Sequence, residues 1–239
     1  MQIYRCDLVL HDYLFFATTE RGKVAETGPF IHNYALTYAL GWATSPWYNE
    51  IQQPRYHEQL ARVEKRYVTP ATLMRGSYLT TQYNTMSESY RLTKIQSAGY
   101  PDWGFIKCFR PGSAFRFYVL SAQIVQFPHY LRLGKFMTKA ALLVAPSSSL
   151  QTRLGAFNER ETRQQGIIHP LLTWNDLPNA ARPVVYDIIA NALPSRLIEH
   201  AVFTGVEGPY FAATFDGEAV LVELPARMGY YGEQLCSSW

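Results

Sequence analysis

The sequence predicts a mixed α+β protein built on an elaborated ferredoxin-like core, and three observations predict it. The chain opens with an alternating polar and apolar run, follows it with a run of helical spacing, and then carries several β-type runs punctuated by turn residues. A second helical segment and a closing hairpin complete an order compatible with a βαββαβ unit carrying insertions. No repeat of fixed period and no linker divides the 239 residues, so residues 1–239 are read as a single domain.

Each element has its own signal. "QIYRCDLVLHDYLFFAT" sets Ile3, Arg5 and Asp7 against Tyr4, Cys6, Leu8 and Leu10, which suits a long first strand. After a polar loop with Gly22, Gly28 and Pro29, "FIHNYALTYALGW" has apolar residues at 31, 35, 36, 39 and 40 and is closed by Gly41, so a helix is expected. "PRYHEQLARVEKRYV" predicts a second short helix. "SYLTTQYNT" and "YRLTKI" predict strands around "MSES", and "GFIKCF" and "AFRFYVLSAQIVQF" predict a hairpin around "RPGS". Long strand pairs with cations on one face, within residues 75–125, make a natural projecting ribbon. "SSSLQTRLGAFNERETRQQG" reads as a polar loop or flexible insert, "PSRLIEHAVFTG" as a helix, and "YFAATFDGEAVLVEL" as two strands around Asp216–Gly217.

Composition narrows the class. With 48% hydrophobic and 17% charged residues the chain is expected to be compact rather than disordered. Its 17 Tyr, 13 Phe and 5 Trp supply rigid packing surface, or stacking platforms where exposed. Cys6, Cys108 and Cys236 have no CxxC spacing, which argues against zinc and thioredoxin-type chemistry and for unpaired thiols in a reducing compartment. The N-terminus lacks signal-peptide character and no run reaches the ~18 apolar residues of a membrane span. A cytoplasmic protein without a membrane partner is expected.

The net charge of +3 hides an asymmetry. Residues 75–163 carry twelve cations against four acids, whereas residues 164–239 carry three against eight. A basic middle could meet a polyanion, nucleic acid being the usual one, or could be an ordinary solvated surface.

The sharpest basic feature is "HYLRLGKFMTKAALLV", residues 129–144, which sets Arg132, Lys135 and Lys139 around Gly134. It is not a P-loop, because His129 stands where the first glycine is needed and Phe136 where Ser or Thr is needed. Gly134 lets another backbone approach closely, and the cations suit phosphate oxygens as well as a plain solvated turn. "WGFIKCF" partly matches the aromatic-basic strand of an RNA-recognition motif but lacks its glycines, and reads better as an ordinary strand with Lys107 exposed. "GPFIHNYAL" places His32 and Asn33 at a helix start, where they suit either an anion or a simple cap. The six histidines are scattered and no HExxH, GxSxG or paired-carboxylate motif occurs, so no catalytic residue, metal ligand or cofactor is expected.

"IYRCDLVLHDYLFFATTERGKVAETGPFIHNYALTYALG" and "YLRLGKFMTKA", residues 3–41 and 130–140, resemble the Cas-five-type (Csc-one) subunit of type I-D CRISPR surveillance complexes, or Cascade. The resemblance implies the RAMP superfamily, whose ferredoxin-like, RRM-like core carries a protruding β-hairpin thumb. It further implies a non-catalytic RNA-binding subunit of an antiviral, DNA-targeting ribonucleoprotein complex. Such a subunit grips the 5′ handle of the crRNA, caps the backbone (Cas-seven-type) subunits and meets the large subunit near the site where the PAM of target DNA is read. The RNA-binding residues implied are His32, Asn33, Arg132, Gly134, Lys135 and Lys139, with hairpin cations Arg75, Arg91, Lys94, Lys107, Arg110 and Arg116 on the thumb. Two other readings stay open: a metal-independent endoribonuclease that processes precursor crRNA, and a protein–protein scaffold without RNA binding.

Overall fold

A computed structural model describes residues 1–45, 55–63, 65–85, 102–189, 192–203 and 208–230. It is a mixed α+β structure dominated by sheet, with few and short helices among the described residues. The largest sheet has seven strands: β1 (Gln2–Leu10), β4 (Phe30–Ile31), β5 (Arg66–Val68), β6 (Ala71–Arg75), β9 (Ala114–Ser121), β10 (Tyr130–Leu133) and β11 (Thr138–Pro146). Their order is β10-β11-β1-β9-β6-β4, with β5 also on β9, and every pairing is antiparallel.

The alternation in β1 explains its central place. Tyr4, Cys6, Leu8 and Leu10 are buried on one face, against Phe115, Phe117 and Val119 of β9 and Leu131 and Leu133 of β10. On the other face Ile3 joins Tyr118, Leu120, Phe211 and Phe215 in a second core. A strand with apolar residues on both faces has to be interior. Cys6 and Cys108 are free and buried, and burial together with Asp7 raises the Cys6 thiol well above its usual pKa.

Three smaller sheets complete the described fold. One contains β2 (Thr19–Arg21), β3 (Val24–Glu26), β7 (Tyr78–Thr85) and β8 (Asp102–Phe109). Another contains β12 (Ser149–Leu154), β13 (Ile167–Ile168), β17 (Pro209–Thr214) and β18 (Leu221–Pro225). The last contains β14 (Leu172–Thr173), β15 (Val185–Ile189) and β16 (Leu197–Val202). The helices are α1 (Asn33–Ala39), α2 (Tyr56–Leu60) and α3 (Glu159–Gln165).

Several expectations hold: the long first strand, both early helices, and a β17–β18 hairpin whose loop turns at Gly217 with φ +79°. Helix α1 ends as its glycine predicts. Gly41 adopts φ +76°, its N–H donates to Tyr38 O, and Trp42 N–H donates to Thr37 O, a Schellman closure.

Three expectations are corrected. "GFIKCF" and the following run do not pair with each other. β1 takes one edge of β9 and β5 and β6 take the other, so β8 pairs with β7 and β3 instead. "RPGS" is therefore a corner between two sheets. "PSRLIEHAVFTG" forms β16, not a helix, because pairing with β14 and β15 satisfies its backbone and buries Leu197, Ile198 and Ala201. The polar insert is ordered: β12 pairs with β17, and Asn158 and Glu161 form a capping box that starts α3, which Gly166 ends at φ +62°. The strand expected at "YRLTKI" lies outside the described residues.

A buried polar cluster joins the two ends of the chain. Asp176, in the 3-10 turn Trp174–Asp176, accepts from Asn33 Nδ2 at 2.8 Å, Tyr34 OH at 3.0 Å and Tyr67 OH at 3.0 Å. Thr173 Oγ1 donates to Asn33 Oδ1 at 2.7 Å. No helix among the described residues is long and apolar enough to cross a membrane.

Removing the carboxylate strands three buried donors, at about 1–3 kcal/mol each. Asp176→Ala is expected to cost at least ~3 kcal/mol in urea unfolding, whereas Asp187→Ala, on the exposed side of β15, should stay within ~0.5 kcal/mol.

Candidate nucleic-acid interface

The segment singled out in the sequence is the β10–β11 hairpin at the edge of the large sheet. Period-two alternation sends Leu131, Leu133, Ala140 and Leu142 into the core and leaves Tyr130, Arg132 and Lys139 on the other face. Arg132 pairs directly across from Lys139. Arg132 Nη1 donates to Met137 O at 3.1 Å, and Lys139 Nζ lies 3.9 Å from the Tyr130 ring centroid. Lys135 is exposed in the turn, with Nζ 5.8 Å from the Phe15 ring centroid. Phe136 and Met137 beside it are 48% and 62% exposed.

Gly134 has a specific structural duty. It sits at φ +68°, and a Cβ there would meet Phe15 O at 2.6 Å. Lys135 N–H donates to that same carbonyl at 2.9 Å. The close approach anticipated at Gly134 is therefore made by the chain's own Leu14–Phe15 loop. That contact fixes the hairpin tip, while the expected approach of RNA to this glycine is taken up internally.

The other motif is turned inward. His32 caps α1, its Nδ1 accepting from Tyr34 N–H at 3.3 Å and its Nε2 lying 3.1 Å from Ser195 O. Nδ1 as acceptor makes Nε2 the protonated donor, a neutral ring. Burial pushes the His32 pKa down to about 4, partly opposed by the bond to the Ser195 carbonyl. Asn33 is fully buried and its amide is spent on Asp176, Tyr67 and Thr173. The start of α1 thus faces the core, so Asn33 is corrected from a surface contact to a structural residue.

The remaining predicted cations separate by partner. Arg116 Nε donates to Asp7 Oδ1 and its Nη1 to Glu218 Oε1, both at 2.6 Å, while Arg5 lies within ion-pair distance of the same two carboxylates. Burial alone would lower the Arg116 pKa, but those bonds and charges hold it raised. Arg116 ties β9 to the loop before β18, and its place on a projecting hairpin is corrected. Lys107 pairs with Glu26 at 3.6 Å and lies 4.7 Å from the Tyr78 ring centroid. Arg110 Nε donates to Tyr78 O at 3.2 Å and is exposed, as is Arg75 at the end of β6. Arg91 and Lys94 lie outside the described residues.

His32 and Lys135, about a hundred positions apart in sequence, line one cavity of about 430 Å³. Its walls include Phe16, Phe30, Tyr34 and Tyr56. Sequence reading missed these residues, because isolated aromatics in separate segments carry no spacing signal.

Fold and site together define a sheet-rich α+β protein with a cationic hairpin beside an aromatic cavity. The family described as type I-D CRISPR-associated protein Cas5/Csc1 matches residues 1–233, and the chain belongs to that family. No curated protein sequence matches it. Among solved structures it is similar to the crystal structure of a CRISPR protein from Archaeoglobus fulgidus, at 10% identity over 94% of this chain and 99% of that one. The TM-score of 0.38 makes that likeness too loose to bear on the site.

The neutral His32 carries a pH signature. The unfolded ring takes up a proton near its usual 6.5 and the folded ring only near about 4. Its contribution to stability is fully present above pH 6.5 and is lost as pH falls toward 4, by about 3 kcal/mol. Urea titrations at pH 7, 5.5 and 4.5 should show a steeper loss for the native chain than for His32→Gln; equal losses would refute neutral burial.

Proposed function

We propose that this chain is a non-catalytic guide-RNA-binding subunit of a type I-D CRISPR effector complex. In this reading the β10–β11 hairpin grips the repeat-derived 5′ handle of the guide through its phosphates. Arg75 and Arg110 extend the contact, and the acidic C-terminal region faces protein. The chain caps the backbone (Cas-seven-type) subunits beside the large subunit, near the point where target DNA is first read. Target choice then comes from guide pairing, with this subunit contributing backbone and shape recognition.

Family membership supports the complex, and one local observation carries the RNA contact. Arg132 and Lys139 are cross-strand neighbours, and among the described residues neither they nor Lys135 have a carboxylate within ion-pair distance. Like charges placed directly opposite destabilise a strand pair. A chain that pairs Arg5, Arg116 and Lys107 with acids but leaves these three unneutralised has a site that a polyanion would relieve.

The test is a binding titration of the full chain with guide RNA carrying its handle. Arg132→Glu with Lys135→Glu should weaken binding, flatten the slope of log affinity against log salt by roughly 0.7 per lost contact, and leave thermal unfolding unchanged. Unchanged affinity in that variant would remove the hairpin from the site. The same preparations, incubated with precursor repeat RNA in EDTA, should leave it whole; a single cut within the repeat would instead make the chain a processing nuclease.

A further inference from the structure

We infer that the cavity between the hairpin tip and α1 seats one unstacked nucleobase of the bound RNA, with Lys135 at its rim on that nucleotide's phosphate. This rests on the RNA-binding reading above and deepens it. The cavity of about 430 Å³ falls toward the lower end of the ~300–1,000 Å³ that ligand pockets span, a size for one small planar group.

Its walls specify what kind of group enters. Half-buried Phe16 and Tyr56 offer ring surface, and the buried rings of Phe30 and Tyr34 back it, Tyr34 packing against Tyr56 with centroids 5.4 Å apart at a tilt of 46°. Several of the polar atoms that line it are already spent. Both His32 nitrogens are bonded, to Tyr34 N–H and Ser195 O. Tyr34 OH donates to Asp176 at 3.0 Å. Thr18 Oγ1 donates to Glu26 O and accepts from Gly28 N–H, each at 2.8 Å.

A site with aromatic faces and few spare hydrogen-bonding groups takes a flat aromatic ring with little choice among bases. The cation beside it takes an anion. A nucleotide joins those two chemistries in one molecule. The base must leave its neighbours to enter, so the RNA backbone kinks at that nucleotide, and the hairpin cations hold the phosphates next to it.

The position is set by the fold. Gly134 seats the turn against Phe15, which brings Lys135 to the rim, and the Asp176 cluster holds the α1 end that carries His32 and Tyr34. Ala17 lines the cavity from the loop side without packing into a core cluster.

The experiment walks a single abasic ribonucleotide along the handle of a synthetic guide RNA and measures binding to the full-length chain at each position. One position should lose about tenfold in affinity, the range of a single base–aromatic stack, and the others less than twofold. Ala17→Trp, which fills the cavity from a loop, should bind intact RNA as weakly as the native chain binds that one abasic RNA, and should no longer distinguish the two. Tyr56→Ala, which removes a wall, should shrink the discrimination without touching the salt slope. If every abasic RNA binds within twofold of the intact one while binding stays salt-dependent, the cavity holds no base and the hairpin grip alone stands. If no RNA binds at low salt, the grip and the base seat fall together.

Discussion

The carboxylate of Asp176 is fully buried and accepts from Asn33, Tyr34 and Tyr67, so a residue near position 176 fixes a helix that begins at position 33. Burying a charge is costly unless it is hydrogen-bonded, which makes these three donors obligatory. Burial and the neighbouring carboxylate together hold the Tyr67 hydroxyl pKa well above its usual value, keeping it a donor. The C-terminal part of the chain therefore has to dock before the start of α1 is satisfied. Thr37 extends the tie, its hydroxyl 2.6 Å from that of Tyr230.

That constraint reaches the candidate interface through geometry. Once α1 is fixed, His32 and Tyr34 form one wall of the cavity, and Phe16, Ala17 and Thr18 of the preceding loop form another. The loop carbonyl of Phe15 receives the Lys135 amide and fills the space where a Cβ on Gly134 would go. The hairpin tip is thus referenced to the same framework that the buried carboxylate holds. A second ionic cluster does similar work on the large sheet, where Arg5 and Arg116 share Asp7 and Glu218 and link β1 and β9 to the loop before β18.

The cations of the basic middle consequently divide into two populations. Arg116 and Lys107 are neutralised by carboxylates and hold elements together. Arg132, Lys135 and Lys139 stand on aromatic rings or a backbone carbonyl, on an edge hairpin, where their positive charge remains available to solvent or to an anion. Charge counted along the sequence treats both populations alike.

Local pattern made much of the chain legible. The alternation of Tyr4, Cys6, Leu8 and Leu10 foretells a long first strand, Gly41 ends α1, and Asp216–Gly217 turns the last hairpin, because each signal acts within a few residues. The basic stretch around Gly134 stood out for the same reason, while its pairing as the β10–β11 hairpin did not. Tertiary structure decided what depended on distant partners. It made "PSRLIEHAVFTG" a strand, because β14 and β15 stood beside it, and sent β8 to β7 because both edges of β9 were filled. It buried Asn33 because Asp176 waited for its amide, and it closed a cavity from His32, Tyr56 and Lys135. Backbone pairing and buried polar bonds are satisfied between segments, so no window of sequence contains the information that chooses among them.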